Sequence, residues 1–229
     1  NFTLYALPSF LALIVVVCLG LFVYTKNPTH PLNRGFFRWL LSLSLWHFGT
    51  FLTYLAGDSS SASLGIRISH VGVTLIPATF LHFMDVFVYK TLKHKRLVVF
   101  AYIISMAFEV LNLTPFLIGT VSRMSFSYYN EASLTYGLFI SYFGLIVGYC
   151  HFILVRKIKT CIGRERTHAK LLLAGFFVAY GSGVGDFLPM YKIDIYPPGN
   201  ALNVLFVGIV AYAILIHKWL DIEVIIKRT

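Results

Sequence analysis

The sequence predicts an all-α polytopic membrane protein: a seven-transmembrane helix bundle with its N-terminus outside and its C-terminus cytoplasmic. Three observations carry that prediction. Hydrophobic residues fill 58% of the 229 positions and charged residues only 12%, about half the charged share of an average soluble domain. Apolar runs of spanning length recur seven times, and the basic residues gather in alternate connections between them.

A helix needs about 20 apolar residues to cross a hydrocarbon core of about 30 Å. Such runs lie at 4–24, 38–56, 66–89, 97–119, 133–155, 168–188 and 199–217. The first is too long for the apolar core of a signal peptide and lacks a small-residue cleavage site after it, so it reads as a span. The intervals between runs are short, which leaves no room for a soluble catalytic domain, a nucleotide-binding module or a nuclease. Asn1 in place of Met, and an end at Lys227-Arg228-Thr229, lead us to expect a piece of a longer protein.

Orientation follows from Lys and Arg. One set of connections holds Lys26, Arg34 and Arg38, then Lys90, Lys93, Lys95 and Arg96, then Arg156, Lys157, Lys159, Arg164, Arg166 and Lys170, and finally Lys218, Lys227 and Arg228. These are 16 of the 19 basic residues; the other side keeps Arg67, Arg123 and Lys192. The net charge of +10 is therefore a positive-inside signal directed at anionic lipid headgroups, and no nucleic-acid partner is expected. Cys18 and Cys150 sit within spans and Cys161 in a cytoplasmic connection, so no disulfide framework is expected.

On the outer side, residues 120–132 contain Ser125-Phe-Ser-Tyr-Tyr129, a sequence suited to a short hairpin, and the remaining outer connections are too small to form a ligand-binding domain. Recognition of a small-molecule or lipid ligand therefore falls to these loops, the bundle interior or the lipid-facing surface.

An ionisable group at membrane depth costs roughly 2.5–3.5 kcal/mol on insertion scales, so each one needs a partner. His47 and Glu109 both count to the midplane, where a shared proton or ion pair would lower the cost for both. His82 and Asp85, three apart, project from one face of the third helix, and His151 lies at a similar depth. These three are the alternative metal set: two imidazoles and a carboxylate around zinc, as a membrane hydrolase would require. At the outer end Asp186, Asn200, Asn203, Arg67 and His70 share one level. Together with Glu109 they are the candidate ligand-binding residues. Gly181 and Gly185 have a spacing that favours close helix approach, and Pro77 interrupts the third helix.

The C-terminal third carries a specific pattern: Arg164-Glu-Arg-Thr-His-Ala-Lys-Leu-Leu-Leu173, a Gly-rich stretch to Asp186-Phe-Leu-Pro189, Tyr196-Pro-Pro-Gly-Asn200, and Tyr212-Ala-Ile-Leu-Ile-His-Lys-Trp-Leu-Asp221. With Pro77-Ala-Thr-Phe-Leu-His82, it resembles the N-terminal seven-helix membrane region of bacterial histidine kinases. That resemblance implies a multi-pass sensory domain of the cell membrane, without catalytic residues of its own and without a cofactor. It also implies a kinase or other output domain in the same polypeptide, and a homodimer in the full-length protein. Signals would leave through Tyr212, Leu220 and Asp221 in the last helix, with 218–229 starting a cytoplasmic signalling helix. The resemblance implies no particular ligand-binding residue. A transporter would call for repeated halves and a continuous polar path, and a retinal protein for a lysine in the last span; neither is present.

Overall fold

The computed structural model describes residues 4–217. Among these, the chain forms α1 (Leu7–Lys26), α2 (Pro31–Leu55), α3 (Ser59–Tyr89), α4 (Lys95–Asn112), β1 (Ile118–Arg123), β2 (Tyr128–Ala132), α5 (Leu134–Thr160), α6 (Gly163–Gly185) and α7 (Gly199–His217), with a 3₁₀ turn at Leu188–Tyr191.

The starts of these helices follow local chemistry. Pro31 opens α2, where a missing N–H costs nothing. The Asp58 carboxylate accepts the Ser61 N–H at 2.9 Å and caps α3. Ser133 does the same for α5 through the Tyr136 N–H at 3.1 Å. Several elements overrun the apolar runs that announce them. Helix α2 starts seven residues before the predicted span and α3 likewise, because their polar first turns are helical beyond the hydrocarbon segment. Helix α4 stops at Asn112, and the remainder of its predicted span enters β1. The expected hairpin is present: β1 and β2 pair antiparallel, with Val121 opposite Asn130, Ser122 opposite Tyr129, and a bulge between Ile118 and Val121.

Helices α1, α2, α3, α5, α6 and α7 close a ring in that order, α7 returning to α1, while α4 lies outside against α3. Four helical segments are long and apolar enough to cross a membrane: Leu4–Lys26, Ser59–Tyr89, Leu134–Thr160 and Gly163–Tyr191. Leu11, Ile14, Phe100, Ile103, Leu138, Leu145 and Phe177 are exposed on the outside of the bundle. An apolar surface of that extent belongs against lipid, so the protein is an all-α membrane protein.

The tightest contact is between α2 and α3. A Cβ on Gly49 would lie 2.0 Å from the Ser69 amide nitrogen, on Gly65 2.7 Å from that of Thr53, and on Gly72 2.3 Å from the Ser42 carbonyl oxygen. The two backbones touch along this seam. Hydroxyl pairs Ser42–Thr79 at 3.2 Å and Thr50–Ser69 at 3.3 Å stitch it laterally. The expected close approach at Gly181 does not occur, since a Cβ there would meet nothing within 4 Å; Gly185 instead abuts Pro198. Spacing alone marks a helix face that can come close, and the packing decides whether a partner is there. Pro77 leaves α3 continuous, and just above it α4 is tied on by Ser105 Oγ, which donates to the Thr74 carbonyl at 2.6 Å.

Below the hairpin end, Trp39 of α2 stacks on Phe83 of α3 at 5.7 Å and meets the edges of Phe176 of α6 and Phe206 of α7 at 5.5 and 5.3 Å. One indole thus joins four helices. We expect Gly49→Ala to cost at least about 1–3 kcal/mol by overpacking. Gly181→Ala should be neutral or stabilising by up to about 1 kcal/mol. Denaturant unfolding in detergent micelles measures both, and equal effects at the two positions would contradict the seam.

Candidate functional site

Between the Trp39 cluster and the hairpin, the ring encloses a cavity of about 250 Å³. Its wall takes Trp39, Trp46 and Tyr54 from α2, Ser69 and His70 from α3, Tyr129 and Asn130 from β2, Tyr136 and Phe143 from α5, Tyr180 and Asp186 from α6, and Asn200 and Asn203 from α7. Most of this wall is aromatic or aliphatic, and the polar groups collect at the hairpin end.

Four of the predicted ligand-binding residues are brought together here: His70, Asp186, Asn200 and Asn203. The His70 Nδ1–H donates to the Ile66 carbonyl at 2.8 Å, which leaves Nε2 to accept the Tyr136 hydroxyl proton at 2.9 Å. Asp186 follows α6 directly and is 8% exposed. Its Oδ1 accepts the backbone N–H of Gly199, the first residue of α7, at 2.8 Å. A carboxylate placed there also meets the positive end of the α7 dipole. Glycine at 199 leaves room for the Asp186 carboxylate, since a Cβ there would lie 2.0 Å from Oδ2 and push the carboxylate aside. The Tyr129 hydroxyl donates to the Asp186 carbonyl at 2.7 Å, and burial holds that phenol well above its ordinary pKa, so it remains a donor. Asn200 Nδ2 donates to the Tyr54 hydroxyl at 3.1 Å. Asp186 Oδ2, Asn200 Oδ1, Asn203 Nδ2 and Asn130 Nδ2 are buried without a hydrogen-bond partner among the described residues.

Arg67 and Glu109 are elsewhere. The Arg67 guanidinium donates to the carbonyls of Asn112 and Thr114, closing the C-terminus of α4, where a cation offsets the dipole. Glu109 accepts from the Thr74 hydroxyl at 2.9 Å and from Asn112 Nδ2 at 3.3 Å. The expected His47–Glu109 pair is therefore corrected: Glu109 is satisfied at the α3–α4 contact, while His47 is fully buried in α2, stacked on Trp46 at 4.6 Å, with neither ring nitrogen bonded among the described residues. Equal depth along two helices placed both at the midplane, but their faces diverge.

The other pair is corrected as well. Asp85 accepts the backbone N–H of His94 at 3.0 Å and bonds its ring at 2.6 Å, pinning the start of α4, and does not bond His82. His82 bonds Tyr102 at 3.3 Å, and His151 Nδ1 is used by the Val147 carbonyl at 2.8 Å. The alternative zinc set of His82, Asp85 and His151 is thus divided among three separate partners. Among the described residues no three His, Cys, Asp or Glu groups converge as metal ligands. The relay residues Leu220 and Asp221, and the side chain of Tyr212, lie outside the described residues.

Tyr54 and Tyr136 lie inside apolar runs, where tyrosine counts simply as apolar, and Tyr129 and Asn130 lie in the connection that forms the hairpin. The aromatic hairpin motif ending at Tyr129 held the available signal. Over the mouth, that hairpin is tied down by Ser125, whose N–H and hydroxyl reach Asp194, and by an aromatic group of Tyr5, Phe126 and Tyr196.

The fold and the cavity define a helical membrane protein built around an internal chamber. The chain matches, over residues 8–222, the family described as the N-terminal 7TM region of histidine kinase, and it belongs to that family. Comparison with curated proteins gave no match.

Removing the Tyr136 hydroxyl leaves the buried His70 Nε2 without a partner. Tyr136→Phe is therefore expected to lower stability by about 1–3 kcal/mol. The His70→Leu, Tyr136→Phe pair should recover part of that loss, and unfolding of the two variants in micelles is the check.

Proposed function

We propose that this chain is the sensory region of a cell-membrane histidine kinase and has no catalytic activity of its own. Its seven helices cross the bilayer with the N-terminus outside. A small-molecule or lipid ligand in the cavity shifts α7, and α7 carries the shift to a cytoplasmic output domain in the same polypeptide, which works as a homodimer. Surrounding lipid is the other constant partner.

The observation that carries this reading is that the first turn of α7 is part of the cavity wall. Gly199 is bonded to Asp186, and Asn200 and Asn203 face the chamber. A molecule in the cavity therefore touches the start of the helix that leads out of the bundle, and α7 is unbroken from Gly199 to His217. A coupling of about 1–3 kcal/mol changes an output by roughly 5–150-fold, which is the scale of one rearranged hydrogen-bond network. The separation of Lys and Arg supports the orientation. The dispersal of His82, Asp85 and His151 among other partners counts against the hydrolase alternative.

In the full-length kinase, Asn203→Leu is expected to change basal autophosphorylation at least about fivefold. A Gly-Ser insertion after His217 should then make the native and variant proteins alike. A variant effect that passes unaltered through the insertion would sink the relay. For orientation, a phosphatase active only in an oxidising exterior should be active when inserted between Met124 and Ser127 and inactive when fused after Thr229.

A further inference from the structure

The polar mouth of the cavity has a sign. Asp186 is buried, one carboxylate oxygen is engaged by Gly199, and Oδ2 has no partner among the described residues. Among the described residues no Lys or Arg lines the chamber. The basic side chains at this end are engaged elsewhere: Arg67 with the α4 carbonyls, Lys192 with Glu131 at 3.4 Å, and Arg123 over the ring of Tyr128 at 5.7 Å. A buried carboxylate calls for a cation or a strong donor. One residue beyond Gly199, Asn200 Oδ1 is a second buried acceptor without a partner. The unpartnered donors of Asn130, Asn203, Trp39 and Tyr180 would serve an anion or a neutral oxygen equally well, and Asp186 supplies the one carboxylate of the described wall, so it decides the charge of the guest.

We infer that the cavity takes a small primary amine with an apolar, preferably aromatic, body, its ammonium group held between Asp186 Oδ2 and Asn200 Oδ1. The volume of about 250 Å³ falls just under the range of about 300–1,000 Å³ for drug-sized sites, which suits a single ring and a short side chain. Trp39 and Trp46 supply aromatic wall for that body. Gly144 of α5 and Gly183 of α6 line the cavity, and a Cβ on either would meet nothing within 4 Å. This assignment rests on the cavity being the sensory site only for its effect on signalling; binding is read separately.

The probes are para-bromophenethylamine, para-bromophenethyl alcohol and para-bromophenylacetate, which share a ring and differ in the head group. Bromine quenches indole emission at short range. The protein has three tryptophans, so the Trp219→Phe chain in phosphatidylcholine vesicles reports from Trp39 and Trp46. The amine should quench saturably at a roughly tenfold lower concentration than the alcohol, and the carboxylate should show no saturable quenching. Asp186→Asn should bring the amine to the level of the alcohol, whose retained quenching shows that the variant is folded. Gly144→Phe, with open space to receive the ring, should abolish saturable quenching by both.

Quenching by the carboxylate equal to that by the amine, an amine preference that survives Asp186→Asn, or no saturable amine quenching in the native chain overturns the assignment. If the amine binds but autophosphorylation of the full-length kinase stays flat, the relay fails and the site stands. Loss of amine selectivity leaves the relay to be judged by the insertion after His217.

Discussion

The bundle depends on backbone meeting backbone along α2 and α3. Gly49, Gly65 and Gly72 leave no side chain between the two helices, and Ser42, Thr50, Ser69 and Thr79 bridge them with hydroxyls. In lipid, apolar side chains gain little by leaving their surroundings, so close packing and hydrogen bonds must hold helices together. This seam makes α3 the most enclosed of the four long apolar segments, with 83% of its apolar window buried against 22% for the segment that contains α6. Helices α4 and α5 then pack against a fixed surface, and the α5–α6 side of the ring is left looser.

Besides the α2–α3 seam and the α3–α4 contact, polar side chains gather at the two ends of the bundle. At the end opposite the hairpin, Asp85 and His94 close the turn from α3 to α4, and Glu165 bridges Lys157 at 2.9 Å and Lys90 at 3.3 Å. These contacts are complete and tie helix ends together. At the hairpin end the bonding is incomplete: Asp186, Asn200, Asn203 and Asn130 each keep a buried polar atom without a partner among the described residues. Buried polar groups in native proteins are mostly satisfied. A cluster that is not lies around one chamber, and on that cluster rests the proposal that a ligand binds there.

The same residues sit at a mechanical junction. Asp186 ends α6 and bonds the first residue of α7, while Tyr129 of the hairpin bonds the Asp186 carbonyl. Loop, sixth helix and seventh helix therefore meet at one residue. Whatever changes the hydrogen bonding of Asp186 changes the restraint on α7 directly, without a long path through the bundle. A response confined to the far end of the ring would have to cross the Trp39 cluster, where four helices interlock around one indole and yield little.

The apolar runs, the placement of lysines and arginines, the hairpin and the level shared by His70, Asp186, Asn200 and Asn203 were all legible from the chain itself, because hydropathy and depth are properties of position along a helix. Depth says nothing of rotation, which is why His47 and Glu109 were matched in height yet face different neighbours, and why Asp85 belongs to His94 rather than His82. Close approach at Gly181 failed for the same reason: a small residue permits contact only if a partner lies opposite it. The aromatic half of the chamber was hidden inside spans where tyrosine and tryptophan count simply as apolar. Which helices are neighbours, and which faces they turn to one another, is set by packing among residues far apart in the chain, and only the tertiary structure decides that.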